Sequence, residues 1–376
     1  MESLCPEAAE TIASNEDLLA HILLCMPPKS LLRFKSVSKH WLALISGPNF
    51  CNRHALQNPN SKVSAFFART IISQEIFFTS LGNDENPSGF RSKPLNFIGD
   101  PRGVEILQSC NGLLLCCSSL STTGRYYVVN PTTSKFSTFF FPAATKSTTV
   151  SGVALAFDPA KSIHYKVVVV STISESVGGY QFKVFLSETR SWKVFRANFP
   201  AKFDMNFSRG VHCNGLISWI GDASKVLLYD TDEHRFRTVP SPPGHGGYRW
   251  HRYFGESCGH LHLIEISRPQ LSQFEVLEME KDYSGWFVKY NVDLNAISSA
   301  FPEMVCNPLE PYYSFVVVFV DEHDLSILLH IPCKVISYNL RDKKVCDLTP
   351  KNIYTKRSLI VRWQSAYAHM DTLACV

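Results

Sequence analysis

From about residue 62 onward the chain is a succession of short runs rich in Val, Phe, Tyr, Leu and Thr, among them VSAFF, EIFFTSL, GLLLCC, YYVVN, KFSTFFF, VALAF, YKVVVV, FKVFL and WKVF. Turn residues separate the runs, and no helical pattern of useful length interrupts them, so they read as strands with one or both faces buried. Sandwich, barrel and propeller all share such strand content, and the turns arbitrate because they repeat. Cys110-Asn111-Gly112-Leu113 is followed by Leu114-Leu115, Cys213-Asn214-Gly215-Leu216 by Ile217-Ser218-Trp219, and Cys258-Gly259-His260-Leu261 is a weaker third copy. Asn and Gly tolerate the positive φ of a tight turn, so each copy predicts a turn that launches a buried strand. A second landmark is Asn130-Pro131-Thr132 before Lys135-Phe136, Asp230-Thr231 before Arg235-Phe236, and Asn339-Leu340 before Lys343-Lys344-Val345. A third, ETRSW at 188–192 and YSGW at 283–286, places a turn and a Trp before another strand. Interleaved, the landmarks recur at roughly 40 to 50 residues, the period of a propeller blade, and about 310 residues then make six or seven blades. The strands near 63–67 are expected to close the ring beside the last strands of the chain, since closure removes free edges.

Residues 14–54 are different in kind. Leu18, Leu19, Ile22, Leu23 and Met26 recur at helical spacing, bounded by Ser14 and Asp17 at the start and Pro27-Pro28 at the stop. Ser30 can cap a second helix carrying Leu31, Leu32 and Phe34, and Val37, Trp41, Leu44 and Ile45 continue the pattern to Gly47-Pro48. A three-helix unit of about forty residues is marginal alone, and this much apolar surface calls for a partner surface as well as a core.

The order P-x-K-S-L-L-R-F, V-S-K-x-W and L-I-S-x-P-x-F in one register resembles an F-box along almost its whole length. The resemblance implies docking on a Skp-type adaptor, which joins a cullin scaffold to make a ubiquitin ligase. By position it assigns Leu18, Leu19, Ile22, Leu23, Pro27, Leu31, Leu32, Val37 and Trp41 to the adaptor-facing and internal apolar set. Ser14-Asn15 stands where Leu-Pro is common, and His21 where an acidic residue is common; neither change removes the stripe. The repeats behind it resemble the kelch-like F-box-associated domain of many plant F-box proteins, although Gly178-Gly179-Tyr180 and Gly246-Gly247-Tyr248 are only fragments of the kelch signature. The expected organisation is a flexible stretch over 1–13, an F-box over 14–58 and a mainly β, kelch-like propeller over 62–376. The resemblances together imply a non-catalytic substrate receptor that binds a target protein for ubiquitination. A non-ligase F-box scaffold and a glycan-binding or enzymatic propeller are the alternatives.

Composition narrows the chemistry. With 37 basic and 33 acidic side chains the net charge of +4 is too slight for a nucleic-acid footprint, and the basic stretch of Lys351, Lys356, Arg357 and Arg362 reads as a solvated edge. The longest apolar runs, 167–170 and 315–320, are strand length and far short of a membrane span. The opening residues lack a signal pattern, so the 12 cysteines are expected to be free thiols in an intracellular protein of cytoplasm or nucleus. No nucleophile elbow, phosphate loop, H-E-x-x-H or C-x-x-C is present. Cys116 and Cys117 are adjacent on a strand and point to opposite faces. Cys258, His260 and His262 alternate and could share a metal-binding face, but strand packing is the expected role, and neither cofactor nor metal is expected. The connection 242–253 is the candidate substrate contact through His245, Tyr248, Arg249, Trp250, Arg252 and Tyr253, residue types that supply recognition hot spots. The competing reading is an inter-blade connection whose aromatics tuck into the ring.

Overall fold

The structure is a computed structural model that describes residues 15–58, 62–70, 76–80, 90–92, 94–119, 125–140, 148–173, 179–197, 205–242, 249–267, 272–304, 315–332, 334–349 and 363–376. The stretch 1–13, expected to be flexible, lies outside them. Six four-stranded antiparallel sheets form a propeller, which fixes the blade number at the lower of the two expected values. The first blade joins β1 (Val63–Thr70), β2 (Ile76–Ser80) and β3 (Phe90–Ser92) to β24 (Trp363–Met370) in the order β24-β1-β2-β3. The next two blades are β4 (Val104–Cys110) to β7 (Lys135–Phe140), through β5 (Leu113–Ser118) and β6 (Arg125–Asn130), and β8 (Thr148–Ala156) to β11 (Ser191–Ala197), through β9 (Lys166–Ile173) and β10 (Gly179–Leu186). The fourth runs from β12 (Val211–Cys213) through β13 (Leu216–Ile220) and β14 (Val226–Asp230) to β15 (Phe236–Val239). The fifth runs from β16 (Arg249–Ser257) through β17 (His260–Ser267) and β18 (Gln273–Met279) to β19 (Trp286–Asp293). The sixth comprises β20 (Val316–Asp321), β21 (Ser326–Ile331), β22 (Lys334–Asn339) and β23 (Val345–Asp347).

The strands β4, β8, β12, β16, β20 and β24 are the innermost and touch their neighbours round the axis. Ring closure is the expected one: β24 pairs with β1, with Phe67 opposite Tyr367 and Ala65 opposite His369. Six apolar clusters each fill one junction between neighbouring blades, so the core is a ring of interfaces and not a single centre. A short helix, Asn295–Ala300, adds Ile297 to the junction of the fifth and sixth blades, a helical turn that strand patterning did not anticipate.

The turn landmarks behave as their residues dictate. Asn111 (φ 46), Asn214 (φ 52) and Cys258 (φ 51), each followed by a positive-φ Gly, turn the first strand of a blade into its second. Asn130, Asp230 and Asn339 accept hydrogen bonds from the two amides that follow at i+2 and i+3, between the third and fourth strands. The ETRSW and YSGW segments make the same third-to-fourth connection in the intervening blades, with Arg190 and Tyr283 at positive φ. These turns all emerge on the face where β24 ends, here the near face.

The helical unit sits on that face. It contains four helices where three were expected: α1 (Glu16–Leu24), α2 (Pro28–Phe34), α3 (Lys39–Ser46) and α4 (Pro48–Gln57). Asn15 caps α1 by accepting from Leu18 N at 3.1 Å, and Ser38 caps α3 by accepting from Trp41 N at 3.1 Å. Ser30 is inside α2, because Pro28 takes the first helical position where its missing N–H costs nothing. Gly47 ends α3, and Pro48 opens α4 for the same reason. Among the described residues no helix is long and apolar enough to cross a membrane.

Candidate interaction surfaces

The apolar residues of the helical unit divide into two sets. Leu19 (3% exposed), Leu23 (1%) and Leu31 (0%) form its core with Leu24, Ile45, Phe50 and Cys51, and Leu32 and Trp41 pack against it half-buried. Leu18 (48%), Ile22 (52%) and Val37 (59%) are exposed, as is Pro27. Sequence reasoning placed all of these in one set and passed over Leu42 and Leu56, both about as exposed as Leu18. Their signal was a large aliphatic at a position that the core stripe does not require.

That core has an eighth member from far away in sequence, Leu373. Residues 371–376 leave β24 and run between the helical unit and the propeller. Lys29 pairs with Asp371 at 3.0 Å. Burial would raise the Asp371 carboxyl, but His369 and Lys29 hold it down at about 2. From the propeller, the Asn130 amide donates to Thr372 O (3.1 Å) and Ala374 O (2.8 Å). Ala374 and Val376 pack on the cluster between the second and third blades. The segment's run of apolar residues, Leu373-Ala374-Cys375-Val376, could have marked it as a packed strip.

The propeller axis holds a cavity of about 240 Å³ lined by inner strands, and a second space of about 300 Å³ opens at its near-face mouth. Asp158, Glu256 and Asp321 converge on this mouth, but each carboxylate accepts from turn amides, those of Ala160, Gly259 and His323. Asp158 is thus a turn residue. Cys110 Sγ lies 3.5 Å from His212 Nδ1. Burial pushes the Cys110 thiol up and the His212 imidazole down to about 4, so the pair is neutral and carries no activated nucleophile.

The candidate loop is shorter than its sequence suggests, because β16 begins at Arg249. His245, Tyr248 and the side chain of Trp250 lie outside the described residues. Arg252 donates to Glu265 (2.7 Å), Gly221 O (2.7 Å) and Ser224 Oγ (2.8 Å), and Arg249 to Asp222 O (2.7 Å), tying the fourth blade to the fifth. Tyr253 Oη accepts from Val320 N at 3.2 Å and packs in the next junction. Arg249, Arg252 and Tyr253 are therefore engaged as inter-blade contacts, in line with the competing reading of this connection.

His260 and His262 do face the same way, but Cys258 is in the exposed turn. His262 is fully buried, with Nε2 2.9 Å from Glu322 and 3.3 Å from Glu278, and His260 reaches Glu278 at 2.9 Å. Lys289 Nζ sits on both carboxylates, 2.7 Å from Glu322 and in close contact with Glu278. A lysine ammonium thus supplies the positive charge that a metal would bring, and the group reads as an ionic clasp between the fifth and sixth blades.

Residues 15–53 match the F-box domain family, and residues 68–253 the F-box associated beta propeller domain. F-box protein At5g07610 of Arabidopsis thaliana is 35% identical, over 98% of this chain and 94% of its own length. The chain belongs to the F-box protein family. A second Arabidopsis thaliana F-box protein, At5g49610, is 27% identical over 76% of this chain and 81% of its own. The putative F-box/kelch-repeat protein At1g12870 of the same plant is 26% identical over 60% and 58%. A solved nidogen/laminin complex covers 82% of this chain and 98% of its own at 11% identity and a TM-score of 0.41, which adds nothing to the assignment. The matched propeller region stops in β16, yet the rest of the fifth blade, the sixth blade and β24 complete the ring of this F-box protein.

Proposed function

We propose that this F-box protein is the substrate-recognition subunit of an SCF-type ubiquitin ligase, with its F-box on a Skp-type adaptor, a cullin reached through that adaptor, and its propeller on a target protein. The observation that carries this reading is the division within the F-box. Leu19, Leu23, Leu31 and Leu373 satisfy its core, while Leu18, Ile22, Val37 and Leu42 stay uncovered on a unit too small to carry them without a partner. A receptor of this kind positions a target and needs no catalytic group of its own. The F-box occupies the near face, which leaves the opposite face of the propeller for a target. Such a ligase acts inside the cell, in cytoplasm or nucleus.

Changing Ile22 and Val37 together to Asp should abolish co-purification of the full chain with a Skp-type adaptor. Both side chains are exposed, so thermal stability should shift by no more than about 0.5 kcal/mol. Leu31→Ala should instead cost about 2–5 kcal/mol, being a core truncation. Unchanged adaptor binding by the double variant overturns the reading. Adaptor binding without recruitment of a cullin would make the protein a scaffold acting outside the ligase.

A further inference from the structure

Residues 18–58 contain no Asp or Glu, and their charged side chains are Lys29, Arg33, Lys35, Lys39 and Arg53. The whole chain carries only +4, so everything outside this stretch has no positive excess. Lys29 pairs with Asp371 at 3.0 Å, but among the described residues the other four have no ion pair. Three of them gather at the corner between α2 and α3: Arg33 in the last turn of α2, Lys35 at its C-cap and Lys39 as the first residue of α3. The corner has a fixed shape. Ser36 N and Val37 N donate to Arg33 O (3.2 Å) and Phe34 O (3.0 Å), and half-buried Phe34 and Trp41 meet edge to face at 5.7 Å. Val37, 59% exposed, stands between Lys35 and Lys39, and both Arg33 and Lys39 are exposed.

Folding does not account for this cluster. Arg33 suits the C-terminal end of α2, but Lys39 puts a cation at a helix N-terminus, where an anion is the stabilising charge, and no acidic side chain of the unit offsets the mutual repulsion. We propose that the α2–α3 corner is a cationic steering surface whose partner is an acidic face on the Skp-type adaptor. This rests on the adaptor reading above and gives the adaptor's docking face a charge. A phosphate backbone would also answer the cations, but it has no use for the aliphatic side chain at their centre, and Ile22 and Leu18 extend the uncovered apolar surface of the same unit. The two kinds of group divide the work. Exposed charges at the edge of an interface act at a distance and set how fast partners meet; apolar groups act on contact and set how long they stay.

Stopped-flow association of the full chain with a recombinant Skp-type adaptor tests the surface. Arg33→Glu with Lys39→Glu should slow association about tenfold at low salt while leaving dissociation and thermal unfolding little changed. At about 1 M salt, where charges are screened beyond about 3 Å, the altered and unaltered chains should associate at the same rate. Arg237→Glu with Lys281→Glu makes the same change in net charge at exposed positions of the fourth and fifth blades and should have a much smaller effect. Equal slowing by the two double variants overturns the proposal, since net charge and not the corner would then steer. An association rate that ignores both charge and salt overturns it too, with the adaptor reading intact; failure of the unaltered chain to bind the adaptor removes both. The first 17 residues hold Glu2, Glu7, Glu10, Glu16 and Asp17. If reversing Arg33 and Lys39 speeds adaptor binding, and deletion of residues 1–14 cancels that gain, the corner's partner is this chain's own acidic stretch and the proposal falls. It falls equally if single-stranded RNA binds the full chain and Arg33→Glu with Lys39→Glu abolishes that binding without slowing association with the adaptor.

Discussion

Asn130 and Glu322 show what keeps polar side chains inside a ring of apolar junctions. The Asn130 amide uses its full capacity, accepting from Thr132 N and Thr133 N and donating to two carbonyls of the 371–376 strip. Glu322 is 10% exposed, and burial alone would favour its neutral form; hydrogen bonding and charge from His262 and Lys289 outweigh this and bring it from 4.5 to about 2. Because the folded value lies below the ordinary one, the stabilisation is fully present above pH 4.5 and is lost as pH falls toward 2. Denaturant unfolding should therefore weaken through that window, and Glu322→Gln should remove part of the slope, Asp371 supplying another part. An unchanged slope in Glu322→Gln would deny the clasp a role in stability. None of this was visible in the sequence, where His262 read as strand packing: its acidic partners come from β18 and the β20–β21 turn, brought to it by the sheet and by the neighbouring blade.

On β8, Gly152 is fixed by packing and not by φ. A Cβ there would lie 1.9 Å from Phe207 O, on the segment that leads into the next blade, where the β8–β9 register also shifts. Gly152→Ala should cost about 3 kcal/mol or more by overpacking, whereas Gly179→Ala, with nothing within 4 Å, should be close to neutral. Thermal unfolding of the two variants separates them, and equal stabilities would contradict this packing of β8. Elements differ in how much of themselves they write into the sequence. The Asn-Gly and Asx turns were legible because one or two residues carry the conformational demand. Blade number was not, because the Asx and Ser-x-x-Trp landmarks are one connection in alternating blades, and the first blade takes its inner strand from residues 363–370. In α1 the period gave the helix but not the sorting of Leu18 from Leu19 or Ile22 from Leu23. Neighbours on a helix are about 100° apart, so α4 and the 371–376 strip decide which member of each pair is covered.

The F-box and propeller are joined through chain from both ends of the propeller. In chain order α4 is followed by β1, and β24 continues into the strip that completes the F-box core. Truncation after Met370 keeps every strand of the ring and removes Leu373, so the F-box should lose about 2–5 kcal/mol of its core. Limited proteolysis with mass mapping should then show cuts within α1–α4 at protease levels that spare the full chain, with the propeller fragment intact. Identical cleavage of the two forms would mean that the F-box core stands without the strip. The same arrangement has a consequence in time. At about 5–20 residues per second, Leu19 leaves synthesis on the order of 20–70 s before Leu373. Over that interval the nascent chain has neither its last inner strand nor a finished F-box core, so completion of the F-box is timed to completion of the propeller.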